Sequence, residues 1–263
     1  MVTVNDVLQV VETYAPAYMK ESWDNVGLLC GSRNAQVTKI LVALDPFENV
    51  CAEAAEMGAE LIVTHHPIIF QPAKAVTDDT SVGRAILQLC RNGISAINAH
   101  TNLDCTPGGV NDVLAQQLGL QNVQVLSPVG TNEDGAPYGL LRCGEVPQTT
   151  LEDFLKTVKG RLGCAGLRYV SGGKAVQKVA VGGGACAGAM LDAVKAGCDT
   201  FVTADVRYNQ FWDAHDLGLN LIDAGHFQTE NPVVAVLADR LQQAFPEIAV
   251  ICSKTHADCM KFY

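Results

Sequence analysis

Val37 to Thr64 reads VTKILVALDPFENVCAEAAEMGAELIVT, and Val176 to Thr203 reads VQKVAVGGGACAGAMLDAVKAGCDTFVT. Laid over one another at an offset of 139 residues (176 minus 37), Val37/Val176, Lys39/Lys178, Val42/Val181, Ala54/Ala193, Gly58/Gly197, Val63/Val202 and Thr64/Thr203 are identical. Working outward, TVNDVLQVV from Thr3 parallels TLEDFLKTV from Thr150, each opening with a capping-box pattern. Downstream, GISAINAH ending at His100 parallels GLNLIDAGH ending at His226. Three matches in the same order read as an internal repeat, hence two related lobes.

Each lobe follows one grammar. A β-branched run (KILVALD, KVAVGGG) leads into an alanine-faced helical stretch, a Gly stops it, and a short apolar strand follows (ELIVT, DTFVT). Strands alternating with helices imply parallel pairing through right-handed crossovers, so the expected class is α/β. The turn-rich segment SPVGTNEDGAPYG, Ser127–Gly139, is the expected link. The lobes are therefore placed at 1–128 and 129–263. A closing helix near Pro232–Phe245, with Asn231 as N-cap and Pro232 at its first position, is free to pack on the first lobe.

Composition narrows the class. Of 263 residues, 48% are apolar and only 17% charged, against roughly 25% charged in an average soluble domain. That excludes disorder, a long coiled coil and collagen. So little charge also points to surface buried between subunits. A net charge of −10 disfavours nucleic acid and anionic membrane as partners. No run of 18 apolar residues or basic leader is found, so a cytoplasmic protein is expected. The 10 cysteines form no C-x-x-C pair and read mainly as small, reduced, buried hydrophobes.

In open α/β sheets, ligands gather at the carboxyl ends of the strands. ELIVT runs into His65-His66-Pro67, and ISAIN into His100-Thr101-Asn102-Leu103-Asp104. DTFVT runs into Ala204-Asp205, and LNLID into Gly225-His226-Phe227-Gln228-Thr229-Glu230. Neighbouring histidines within a strand point to opposite faces. Where Pro67 breaks the strand, each imidazole can instead serve one of two adjacent metal ions. Imidazole plus carboxylate without thiolate suits Zn, Mn, Fe, Co or Ni as a divalent ion. A lone His-His pair or a single His-x-x-x-Glu is as readily a surface feature. Their joint placement at strand ends makes His65, His66, Asp104, His226 and Glu230 the candidate metal ligands. His100 is read as support behind the ligands, as a proton-transfer group or as a further ligand. His215 and His256 read as structural, and Asp205 either as a strand-end cap or as the counterpart of His66.

Gly182-Gly183-Gly184-Ala185-Cys186-Ala187-Gly188 resembles a phosphate-cradling turn but lacks the Lys-Ser/Thr ending of a P-loop. It is read as a tight strand–helix turn or as backbone donors to an anionic substrate. Ser22-Trp23-Asp24-Asn25-Val26-Gly27, a Trp beside two polar residues, carries no assignment alone.

Together SWDNVGLLCG, THHPIIF, AHTNLD, TADVRYN and DAGHFQTE resemble, in order and spacing and over nearly the whole chain, the NIF3-like family, also called GTP cyclohydrolase 1 type 2 homologues. The resemblance implies two α/β lobes with a dinuclear metal site between them, assembled as a toroidal homohexamer. It places His65, His66, Asp104, His226 and Glu230 at the ligand positions, with Glu230 as the bridge. One position departs from the pattern: Tyr208-Asn209 stands where relatives carry Tyr-His. Two ions about 3.5–4 Å apart can hold a bridging hydroxide and polarise a carbonyl, amidine or phosphoryl oxygen. A metal-dependent hydrolase of a small, nucleotide-like substrate is thus expected, with His100 as the acid–base candidate. A non-catalytic metal-handling or interaction scaffold is the alternative.

Overall fold

The computed structural model describes residues 1–263. In chain order its elements are α1 (Val4–Tyr14), β1 (Gly27–Cys30), β2 (Lys39–Ala43), α2 (Glu48–Met57), β3 (Leu61–Thr64), α3 (Ser81–Arg91), β4 (Ser95–Asn98) and α4 (Thr101–Cys105). There follow α5 (Val110–Leu118), β5 (Gln121–Leu126), the short β6 (Gly130–Thr131) and β7 (Pro137–Tyr138), β8 (Leu141–Thr149), α6 (Leu151–Leu162), β9 (Arg168–Val170) and β10 (Val176–Val181). The remainder comprises α7 (Met190–Lys195), β11 (Thr200–Thr203), α8 (Tyr208–Asp216), β12 (Asn220–Asp223), α9 (His226–Glu230), α10 (Pro232–Ala244) and β13 (Ala249–Cys252). No helix is long and apolar enough to cross a membrane.

The chain forms two compact units, Met1–Thr106 with Val233–Asp258, and Pro107–Pro232 with Cys259–Tyr263. The first carries a five-stranded sheet in the order β1-β4-β3-β2-β13, parallel except for β1. Ile40, Leu41, Val42 and all of β3 are buried, as a parallel strand covered on both faces requires. Val50, Cys51 and Ala54 of α2 and Ala85, Ile86 and Leu89 of α3 pack with Leu41 and Ile62. Gly58 ends α2 in the left-handed region (φ 67°), and its N–H returns to the last turn.

The second unit carries a six-stranded sheet, β5-β8-β10-β11-β12-β9, in which β10, β11 and β12 are parallel. Its central register follows that of the first unit. Ile40 pairs with Leu61 and Val42 with Val63; Val179 pairs with Thr200 and Val181 with Val202. Strand starts are tied alike. Glu60 accepts from the N–H of Thr38 and Lys39, and Asp199 from the N–H of Gln177 and Lys178. Both units are therefore mixed α/β structures with polar residues at the carboxyl ends of parallel strands.

Two sequence expectations are corrected. Ser127–Gly139 does not link the units, which change over at Thr106/Pro107. It closes a hairpin between β5 and β8, which pair antiparallel, and β6 and β7 pair inside it. Turn formers serve a hairpin as well as a linker. Asn231 is not an N-cap: its dihedrals are helical (φ −55°, ψ −28°), so the backbone turns through it from α9 into α10. Helix α10 and β13 belong to the first unit, β13 pairing with β2.

Candidate metal centre

Strand β3 ends at Thr64, and Pro67 prevents its continuation. His66 N–H donates to the Leu44 carbonyl instead, and Thr64 Oγ1 donates to the carbonyl of His66. This turn brings the His65 and His66 rings to 4.8 Å between centroids. His65 is fully buried, and its Nδ1 lies 2.9 Å from the Ala99 carbonyl oxygen. A carbonyl only accepts, so Nδ1 carries the proton and Nε2 the lone pair. That Nε2 lies 3.7 Å from Asp104 Oδ1, on the short helix following β4. His66 Nδ1 is 2.6 Å from Asp45 Oδ1. His65, His66 and His100 each offer a ligand atom, all within 4.8 Å of one another.

His100, at the end of β4, is oriented by Asp24, whose Oδ1 is 2.7 Å from Nδ1. Asp24 Oδ2 accepts from the N–H and hydroxyl of Thr101. Burial alone would raise the Asp24 carboxyl, yet hydrogen bonds from His100 and Thr101 outweigh it and hold Asp24 well below the usual carboxylate range. Asp45 follows the same rule: burial opposes ionisation, and His256 and His66 win. Trp23 and Phe70, both half exposed, set their rings edge-on to His100.

In the second unit, Asp223 at the end of β12 accepts from the N–H groups of Val206 and Gly225, and its carboxylate pairs with Arg168. Gly225 (φ 87°) then turns the chain so that α9 starts at His226. His226 Nδ1 is 2.7 Å from Asp205 Oδ2, and Nε2 is 2.9 Å from buried Glu230 Oε2. Gly184, also left-handed (φ 62°), backs this pair. A Cβ there would stand 2.2 Å from Glu230 Oε1 and 3.1 Å from His226 Nε2. The glycine run is settled as a turn: Gly183 N–H donates to Asn111 Oδ1 and Gly184 N–H to Thr229 Oγ1. Those amides are thus committed within the protein.

The donors fit a divalent metal ion. Imidazoles whose Nδ1 is held by a carbonyl or carboxylate present Nε2 as ligand. Around Glu230 and His226, the absent side chain of Gly184 preserves space for the carboxylate. Sequence reasoning did not find the supporting carboxylates Asp45 and Asp24. Nor did it find a site role for His256, whose Nε2 is 2.9 Å from Asp45 Oδ2. Asp205, left open between two readings, holds His226. His215 sits half exposed on α8 beside Asp216, and Asn209 is exposed at the start of the same helix.

A mixed α/β fold with imidazole and carboxylate groups at its strand ends defines a class of candidate metal-binding proteins. Within it the chain belongs to the Duf34/NIF3 (NGG1p interacting factor 3) family, whose model matches residues 2–259. It is 37% identical to a GTP cyclohydrolase 1 type 2 homolog of Clostridium perfringens, covering 98% of this chain and 99% of that protein. A Clostridium acetobutylicum protein of the same name is 34% identical, with 98% of each covered. Among solved structures, a Staphylococcus aureus hypothetical protein superposes with a TM-score of 0.93 at 30% identity over 99% of both chains. A Bacillus cereus protein related to NIF3 also gives 0.93, at 27% identity, covering 100% of this chain and 99% of that one.

Proposed function

We propose that this chain is a dinuclear metal-dependent hydrolase of a small, nucleotide-like substrate. The two units form an internal repeat, each contributing part of one centre. His65 and Asp104 would hold one divalent ion and His66 and His226 the other, with Glu230 shared by both sets. The observation carrying this reading is the shared support of the strand-end imidazoles: His65 on Ala99, His66 on Asp45 and His226 on Asp205 each have Nδ1 held. Such partners orient metal-binding histidines. The name of the curated relatives accords with hydrolytic chemistry on a nucleotide.

The ions supply Lewis acidity. The protein's residues do the remainder. His100, oriented by Asp24, moves a proton to or from the reacting group at its Nε2. Asp104 and Glu230 balance the cationic charge of the ions. The resemblance extends the proposal to a cytoplasmic homohexamer, its mass measurable by light scattering against 27.9 kDa for one chain.

The test is a screen of purified protein, reconstituted with Zn, Mn, Fe, Co or Ni, against nucleotides, phosphoesters and short peptides. Metal-dependent turnover abolished in His66→Ala is expected, with His100→Ala retaining metal but losing most activity. Tight metal binding without turnover on any substrate would favour the scaffold reading instead.

A further inference from the structure

The residues after β13 return to the candidate centre, although His256 among them reads as structural in the sequence. Glu53 of α2 accepts from Ser253 Oγ at 2.5 Å, Lys254 N–H at 2.8 Å and Thr255 Oγ1 at 2.8 Å. Asn49, four residues earlier and so on the same face of α2, donates from Nδ2 to the Thr255 carbonyl at 3.0 Å. The next residue, His256, is thereby pressed inward. Its side chain is only 6% exposed, its N–H donates to Ser253 Oγ, and the Phe47 ring stands edge-on at 6.0 Å between centroids.

This clamp gives Asp45 a nitrogen at each oxygen: His256 Nε2 is 2.9 Å from Oδ2, and His66 Nδ1 is 2.6 Å from Oδ1. A carboxylate held at one oxygen alone can swing about its last torsion, which is broad and two-fold. Held at both, it cannot swing without breaking a contact. We propose that His256 is a positioning residue of the metal centre, locking Asp45 so that His66 keeps its proton on Nδ1 and directs Nε2 at the ion. The inference rests on the reading of His66 as a ligand. It assigns the segment Ser253–His256 a part in the centre rather than in packing alone.

Packing and positioning separate in two substitutions. His256→Phe keeps a ring beside Phe47 and removes the nitrogen facing Asp45 Oδ2; His256→Gln returns a nitrogen at similar reach. The full-length protein is titrated with cobalt(II) against a competing chelator while the cobalt absorption bands are followed. His256→Phe should fold with unchanged circular dichroism, bind cobalt about tenfold more weakly and shift the bands, and His256→Gln should recover most of the loss. Metal-free imidazole nitrogen-15 spectra supply a second readout. The parent should show His66 with its proton on Nδ1, and His256→Phe a mixture of tautomers. Should the parent fail to bind cobalt, the metal reading falls, and the nitrogen-15 comparison still decides the positioning role. Parent-like cobalt affinity and bands, or an unchanged His66 tautomer, in His256→Phe would overturn the proposal.

Discussion

At the loop after the central strand, the two units solve one problem with exchanged parts. At the 139-residue offset His66 corresponds to Asp205, and Asp45 to Gly184. In the first unit the imidazole follows this strand, and a carboxylate from the preceding strand end supports it. In the second unit the carboxylate follows the strand, and it supports an imidazole arriving from β12. The position that supplied the carboxylate in the first unit has become a glycine, leaving room for Glu230. Backbone register is shared, whereas donor and supporter change places. A shared strand register thus fixes where polar groups cluster, and local differences decide which of them is the imidazole and which its support.

Four substitutions put this contrast to the test. The largest effect belongs to a feature of the second unit, the buried Arg142, whose guanidinium makes bonds of 2.8 and 3.0 Å to Asp112. Arg142→Ala should lower unfolding free energy by about 3–5 kcal/mol, because it strands the partner carboxylate. A loss below about 1 kcal/mol in denaturant titration would show that Asp112 simply rehydrates. Next, Glu230→Gln should weaken metal binding by more than the roughly 10–100-fold typical of supporting partners. Retention of parental metal content by elemental analysis would remove the bridge.

Gly184→Ala tests the exchange itself. The added Cβ must push the Glu230 carboxylate aside, and a left-handed backbone adds strain of about 1 kcal/mol. Weaker metal binding with a modest fall in thermal midpoint is expected, and an unaltered metal affinity would show that the glycine serves only the turn. The smallest effect concerns Glu60 at the start of β3. Burial would raise its carboxyl, but the N–H groups of Thr38 and Lys39 prevail and lower it. With the folded value below the unfolded one of about 4.3, its contribution is complete above that pH. It is lost as pH falls through the folded value. Glu60→Gln should cost about 1 kcal/mol at neutral pH and flatten stability between these two values. An acid-unfolding curve parallel to the parent's would contradict this.

Much of the candidate centre was legible because its proposed donors sit where short apolar runs stop, and a run's end is a local signal. His65, His66, His100 and His226 all announce themselves in that way. Asp45, Asp24 and His256 do not. Each acts across a long stretch of chain through side-chain contacts, for which sequence has no period. The changeover between units was misplaced for a different reason. Pro128, Gly130 and Gly135 mark a sharp turn without saying whether strands pair across it, and here β5 and β8 do. Asn231 shows the same ambiguity in miniature, since a residue suited to begin a helix can also lie between two of them.

The pairing of β13 with β2 also bears on how the protein is made. The second unit's sheet is drawn from the continuous stretch 107–232, whereas the first unit's sheet needs residues some two hundred positions apart. On a ribosome adding about 5–20 residues per second, β2 waits on the order of ten seconds or more for its neighbour. During that interval its open edge is a site for strand addition by another chain. The second unit's sheet can thus assemble first, and the first unit's sheet is completed only once β13 has been made.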